Sequence, residues 1–241
     1  GSQLVFKGGT CLAKVHAGFY RLSEDLDFTI PLSVDASRKT RQQAVTEIKK
    51  AVSNIADHVP AFTTAEPLRG ASSSTQYNGS IEYQSPTTAQ PETILIEVSV
   101  REPLVLSPVN ALAQTLLLDP ISGEAAVHPL NISCIAKTEA MAEKFRAAVS
   151  RKDVAIRDFY DLDYAVENLG LHLDNAEFGD LVRQKLNVPG NLAVDVSKER
   201  LTALRRQLDT RLRTVLREKE FRTFDLDRAI RLVVAMAERV V

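Results

Sequence analysis

Cysteine is nearly absent from this chain: Cys11 and Cys134 are its 2 copies in 241 residues. They are too few and too far apart in sequence for a disulfide framework or a zinc site, both of which use closely spaced clusters. They read as reduced, cytosolic, partly buried thiols. The 4 histidines are scattered, with no ligand pair at helical spacing, and read as structural. No apolar run approaches the length that crosses a bilayer, so a membrane span is excluded. Signal-peptide organisation is missing as well. The opening Gly1-Ser2 reads as an expression scar before a strand-like run, and the natural chain is expected to begin earlier. Internal repeats and low-complexity linkers are also lacking.

What is present describes an ordinary soluble globular protein, with 44% hydrophobic and 25% charged residues. A length of 241 residues suits one large domain or two modest ones. The net charge of −1 conceals a segregation: residues 198–241 hold 12 Lys or Arg against 7 Asp or Glu, which leaves −6 for the remainder. An acidic part joined to a basic tail suits an enzyme that holds cations at one end and a polyanion at the other.

Hydrophobic periodicity predicts a strand over Leu4 to Phe6, a helix over Thr10 to His16, a strand over Leu26 to Ile30 and a helix from Ser37 to Ala56. In that last helix Ser37 is the N-cap, and Ala44, Val45, Ile48, Ala51, Val52 and Ile55 form the apolar stripe. From Ala61 to Pro91 small and polar residues dominate, and alternation around Ser80 to Gln84 predicts hairpin strands joined by Asn78-Gly79-type turns. The strongest strand signal is Thr93 to Val100, interrupted by the acid Glu97, which needs a cation or a basic partner if buried. Helices follow over Thr138 to Val149, Ile156 to Leu169, Asn175 to Leu186, Lys198 to Glu218 and Phe224 to Val241. The expected architecture is α+β: a mixed-sheet core over residues 3–134 and a helical bundle over 135–241, with the active site between them.

The most informative residues lie near the start. Gly8 and Gly9, after the apolar Leu4-Val5-Phe6, let the backbone turn sharply into a helix whose first amides can face an anion. Asp25 and Asp27 alternate along a strand, so both point the same way, as carboxylates sharing hard divalent cations must. Either feature alone is more often structural. Together with a later acid, Glu97, they form the ordered set that two-metal nucleotidyl transfer uses. The basic stretch from Lys198 to Arg222 has 9 Lys or Arg against 4 acids. It reads equally as a solvated bundle face or as a surface for an RNA backbone, and its scarcity of aromatics argues against base stacking.

Phe6-Lys7-Gly8-Gly9-Thr10-x-Leu12, followed by Arg21-x-Ser23-Glu24-Asp25-Leu26-Asp27-Phe28, resembles the start of the AbiEii/MenT group of nucleotidyltransferase-like toxins, in the DNA polymerase β superfamily. Glu139 to Ala147, followed by Arg157-Asp158-Phe159-Tyr160-Asp161-Leu162, is similar to that group's helical "AEKxxA … RDxxDL" segment. The resemblance implies a polymerase β-like core that moves an NMP from an NTP, with one or two Mg²⁺ on Asp25, Asp27 and Glu97. Glu97 stands where Asp is expected. The resemblance also implies triphosphate contacts from Lys7, Gly8, Gly9, Thr10, Arg21, Ser23 and Lys144, and active-site positions for Lys144 and Asp158. The implied acceptor is a tRNA 3′ end, and a toxin role implies a cognate antitoxin and a cytoplasmic setting. Alternative acceptors are a protein hydroxyl or a small molecule, and a non-catalytic nucleotide-binding module is the third reading. From the residues alone, Lys144 is also a solvated lysine or a partner of Glu143, Arg21 balances Glu24, and Asp161 is surface charge.

Overall fold

A computed structural model describes residues 4–18, 20–115 and 117–241; Gly1, Ser2 and Gln3 lie outside them. The chain divides into two compact units, Gly1–Gly18 with Ser23–Ile135, and Phe19–Leu22 with Ala136–Val241. A short segment just ahead of the acidic pair thus belongs to the helical unit.

The first unit is built on a seven-stranded mixed sheet: β1 (Val5–Lys7), β2 (Leu26–Thr29), β3 (Phe62–Ala71), β4 (Gln76–Gln84), β5 (Pro91–Ser99), β6 (Val109–Ala113) and β7 (Leu130–Cys134). Their order is β3-β4-β5-β2-β1-β7-β6. β2 runs antiparallel to β1 and parallel to β5, and β7 runs parallel to β1. Cross-strand partners share a face of a pleated sheet. Tyr77, Val98, Phe28 and Phe6 therefore form one row across four strands, and Asn78, Glu97, Asp27 and Lys7 form the next row on the opposite face. Tyr77 and Val98, with Ile30, Leu68, Ile81, Ile96 and Val100, form a buried core that Val45 and Val52 close from the helical segment.

The helix expected from Ser37 to Ala56 is three pieces, α2 (Arg38–Ala44), α3 (Thr46–Ser53) and α4 (Ile55–His58). Val45 and Asn54 leave helical geometry, with ψ of 3° and 23°. Ser37 does cap α2, its Oγ accepting from Thr40 N at 3.1 Å. The helix expected over Thr10 to His16 starts earlier, as α1 (Gly8–Cys11), and continues as a π-helical turn over Leu12–His16.

Asn78 and Gly79 are not a turn, as their dipeptide predicts, but lie inside β4, opposite Glu97 and Ile96. On its other side Gly79 faces the irregular stretch of β3 where the register shifts between Glu66 and Arg69. A Cβ at Gly79 would sit 2.8 Å from Glu66 O and 3.0 Å from Leu68 N. The glycine is there for close backbone approach, which is the second meaning of a strand glycine.

The second unit packs α5 (Lys137–Ser150), α6 (Ile156–Asn168), α7 (Ala176–Leu186) and α10 (Leu226–Val240) around Met141, Phe145, Phe159, Leu162, Val182, Val233 and Met236. Asn175 and Asp225 cap α7 and α10 through their side chains. One helix is expected from Lys198 to Glu218; the segment is instead α8 (Lys198–Gln207), a π-turn, a 3₁₀ turn and then α9 (Glu218–Thr223). Val215 O accepts Leu22 N–H at 2.8 Å, and Leu216 turns to extended backbone with ψ of 149°. The carbonyl that a continuing helix would use is taken by another segment of the unit.

Replacing Gly79 with Ala should lower the urea midpoint by an amount equivalent to about 1–3 kcal/mol, because backbone in β3 cannot give way as a side chain can. An unchanged midpoint would show that the bulge is soft.

Candidate active site

In the sheet unit the site is set by one close approach. Gly8 has φ of +74°, a conformation that favours glycine, and a Cβ there would lie 1.9 Å from Asp27 Oδ2. Any side chain at position 8 would displace the carboxylate. Asp27 is also flanked in register by Lys7 on β1 and Glu97 on β5. Asp25 is exposed and stands just ahead of β2, outside the strand itself. Thr10 and Ser23 meet through a hydrogen bond at 3.0 Å, Thr10 donating, which ties the start of α1 to the segment carrying the acids.

Glu97 is half-buried, and it accepts from Gln76 Nε2 at 2.7 Å. An amide is thus one of the partners of this carboxylate. The same amide also donates to Asn78 Oδ1 at 3.1 Å, so two β4 side chains support the carboxylate row. Neither was visible in the sequence, because Asn78 reads as a turn residue. Asp25, Asp27 and Glu97 offer hard oxygen donors of the kind Mg²⁺ takes. Among the described residues, however, the three potential ligand atoms gathered within 4.8 Å are those of Cys11, His16 and Cys134. The two cysteines are therefore neighbours, against the separation their positions imply.

The helical unit holds the other sequence candidates as one buried ion network. Asp161 is its centre. Its Oδ1 accepts from Tyr20 Oη at 2.6 Å and from Arg21 Nε at 2.5 Å, and its Oδ2 from Arg21 Nη2 at 2.9 Å. Lys144 Nζ lies 2.9 Å from Asp161 and 3.2 Å from Asp158, and Arg151 reaches Asp158 at 3.2 Å. Arg21 therefore pairs with Asp161 rather than with Glu24, and it is buried, not poised at a surface. Asp161 is no surface charge. Burial alone would raise its pKa, but Arg21 and Lys144 outweigh burial and hold the carboxyl well below the usual range. Lys144 is pushed up in turn: burial works against its charge, while Asp161 and Asp158 more than compensate. The signal for Asp161 was in the sequence, as the second acid of the Asp158-x-x-Asp161 pair, which α6 places on one side at i and i+3.

A family model described as the nucleotidyl transferase AbiEii toxin of type IV toxin–antitoxin systems matches residues 1–235. The chain belongs to the AbiEii family. It is accordingly a nucleotidyltransferase. Among solved structures, this AbiEii-family chain is similar to MenT4, a nucleotidyltransferase toxin from Mycobacterium tuberculosis H37Rv, at 20% identity and a TM-score of 0.58, covering 99% of this chain and 85% of that one. It is also similar to JHP933 from Helicobacter pylori, at 16% identity and a TM-score of 0.52, over 99% and 84% of the two chains. A putative nucleotidyltransferase from H. pylori aligns at 15% identity and a TM-score of 0.52, over 99% and 86%. At these identities the likeness is one of fold, and it bears out the mixed-sheet core with a helical C-terminal region. No curated protein matches. Among the described residues no helix is long and apolar enough to cross a membrane.

Replacing Asp161 with Asn should destabilise the protein by about 3–5 kcal/mol at neutral pH, since Arg21 would be left buried without its counter-charge and Lys144 would keep Asp158 alone. A carboxyl held low in the folded state contributes stability that is complete above its unfolded pKa, near 3.9, and is lost as pH falls toward the folded value. The gap between wild type and variant should thus be constant above about pH 5 and shrink below about pH 4. Urea unfolding across that range would show it; a gap that does not change with pH would contradict the charge assignment.

Proposed function

We propose that this AbiEii-family enzyme moves an NMP from an NTP to the 3′ end of a tRNA in a Mg²⁺-dependent reaction, as a toxin acting in the cytoplasm and restrained by a cognate antitoxin. The observation that carries the reading is the close approach of Gly8 to the Asp27 carboxylate, with Glu97 beside Asp27 in register on β5 and Asp25 two residues ahead in the chain. The donor set is all oxygen, which suits one or two Mg²⁺ held by Asp25, Asp27 and Glu97. Bound there, the cations would neutralise charge on the triphosphate as pyrophosphate leaves.

The chain's own residues do the rest. Gly8 and Gly9 present backbone at the start of α1 with no side chain in the way, so phosphate oxygens can approach the amides closely. Lys7, beside Asp27 in register, adds positive charge on the same face. Thr10 and Ser23, joined to one another, orient the turn between the glycines and the acids. In the helical unit Asp158 and Asp161 fix the Lys144 ammonium at a set position and keep it charged, as a phosphate contact requires. Arg21 supports that arrangement through Asp161. Exposed arginines on α8 and the turns after it, among them Arg206 and Arg211, offer an RNA backbone sequence-independent attraction.

Incubation with Mg²⁺, total tRNA and each of the four α-labelled NTPs in turn should place label in RNA with at least one nucleotide. Asp25→Ala should drop incorporation to background while leaving the unfolding midpoint nearly unchanged, because Asp25 is exposed. Full incorporation by that variant would remove Asp25 from the site. Labelled protein or small molecule with unlabelled tRNA would replace the acceptor and keep the reaction.

A further inference from the structure

Cys11, His16 and Cys134 converge in the sheet unit, their two Sγ atoms and a ring nitrogen all lying within 4.8 Å of one another. The helix is wound to bring this about. At 3.6 residues per turn a residue five places on points about 140° away from its reference. The π-turn over Leu12–His16, closed by Ala17 N–H donating to Leu12 O at 2.9 Å, returns His16 to the side of Cys11. Single π-turns are rare and recur at functional sites. Cys134 arrives from β7, whose register with β1 sets it beside Phe6, five residues before Cys11.

The surroundings fit a soft ligand set. Both thiols are completely buried, and His16 is partly exposed, which gives an ion its way in. His16 Nε2 lies 2.9 Å from the Ile135 carbonyl. Donation to that oxygen leaves the lone pair on Nδ1, and it is the outer hydrogen bond that orients a metal-bound imidazole. Burial pushes both thiols up, and for Cys11 the adjacent Cys134 and Asp27 push further, so without a cation the pair stays protonated. A dication reverses that balance.

We propose that Cys11, His16 and Cys134 form a binding site for a thiophilic divalent cation of the zinc class, held by two thiolates and one imidazole. The two thiol protons pass to solvent on binding. Sulfur and nitrogen select a softer ion than the all-oxygen set of Asp25, Asp27 and Glu97, so the two sites need not compete for the same metal. Bound there, the ion would pin the helix that begins with Gly8 and Gly9 to β7. The inference does not depend on the proposed acceptor or on nucleotidyl transfer.

The test is to titrate reduced, metal-stripped, full-length protein with Co²⁺ under anaerobic conditions and record the absorption spectrum. The expected result is thiolate-to-cobalt charge transfer together with the intense visible bands of a tetrahedral site, saturating at a single Co²⁺ per chain and reversed by Zn²⁺. Asp25→Ala should give the same spectrum, Cys11→Ser and Cys134→Ser should each abolish the charge transfer, and His16→Ala should weaken Co²⁺ binding by roughly tenfold or more. Absence of charge transfer in the wild-type protein overturns the proposal, and because that arm needs no substitution it stands even where a variant fails to fold. Charge transfer that survives both cysteine substitutions overturns it equally.

Discussion

The sheet unit depends on a volume that two residues share. Asp27 Oδ2 sits within 1.9 Å of where a Cβ on residue 8 would be, so the carboxylate and a bare backbone at Gly8 are possible only together. That constraint reaches outward in both directions. It brings β1 and β2 into the antiparallel register that pairs Lys7 with Asp27, and through β2 it sets the parallel register that pairs Asp27 with Glu97. It also forces the chain to leave β1 at positive φ and enter α1 at once, which puts Cys11 and His16 over the same end of the sheet as Cys134. A polar row on one face is tolerable because the facing row, from Tyr77 to Phe6, carries the apolar burial.

The helical unit solves a different problem, that of keeping charge inside. Asp161, Arg21 and Lys144 share a site in which the side chains of Asp161 and Arg21 are 0% and 2% exposed. Isolated, each would cost several kcal/mol to desolvate. Together the carboxylate receives a forked guanidinium, a phenol and an ammonium, so every oxygen is used. A second cluster follows the same rule on α5 and α7, where Lys185, wholly buried, lies 2.6 Å from Glu139 and 3.2 Å from Glu143. Replacing either network by apolar residues would often be neutral in stability, so their presence is better understood as fixing positions. Lys144 gains most from this, since a flexible four-carbon chain is otherwise a poor way to place a charge.

Sequence reading recovered what periodicity and local chemistry carry. Ser37 could be named as a cap because its hydroxyl bonds three residues ahead, and the strand over residues 93–100 could be named because it is apolar and β-branched. The glycine pair and the Asp25-x-Asp27 pattern could be singled out because they are contiguous, and Gly8 does meet Asp27. What stayed hidden depends on distant partners. Asn78-Gly79 carries the local signature of a turn, and only the bulge of β3 against Gly79 makes it a strand interior. β6 and β7 are five residues each with much of their length exposed, too little burial to leave a pattern. Arg21 has Glu24 as a sequence neighbour, yet its partner lies 140 residues on. Cys11 and Cys134 stand further apart than any local motif can join, and the π-turn that recruits His16 is a matter of backbone winding.

The basic tail shows why a charge count overstates a surface. Arg200 is buried and donates to Ala148 O and Arg151 O, and Arg228 forks onto Asp163 at 2.7 Å, so both are committed to the fold. Arg205, Arg213, Arg217 and Arg222 each face a carboxylate, but on the exposed surface, where such pairs are worth about 0–1 kcal/mol and are screened by salt. An RNA phosphate, bringing counterion release with it, competes for these on favourable terms. The cations available to a polyanion are therefore neither all of those in the tail nor only those without a carboxylate nearby: they are the exposed ones, whose present partners hold them weakly. Because the tail supplies those cations with hardly an aromatic ring among them, it is suited to a phosphate backbone and not to base stacking, so under the proposed tRNA reading any choice of acceptor end has to come from residues elsewhere.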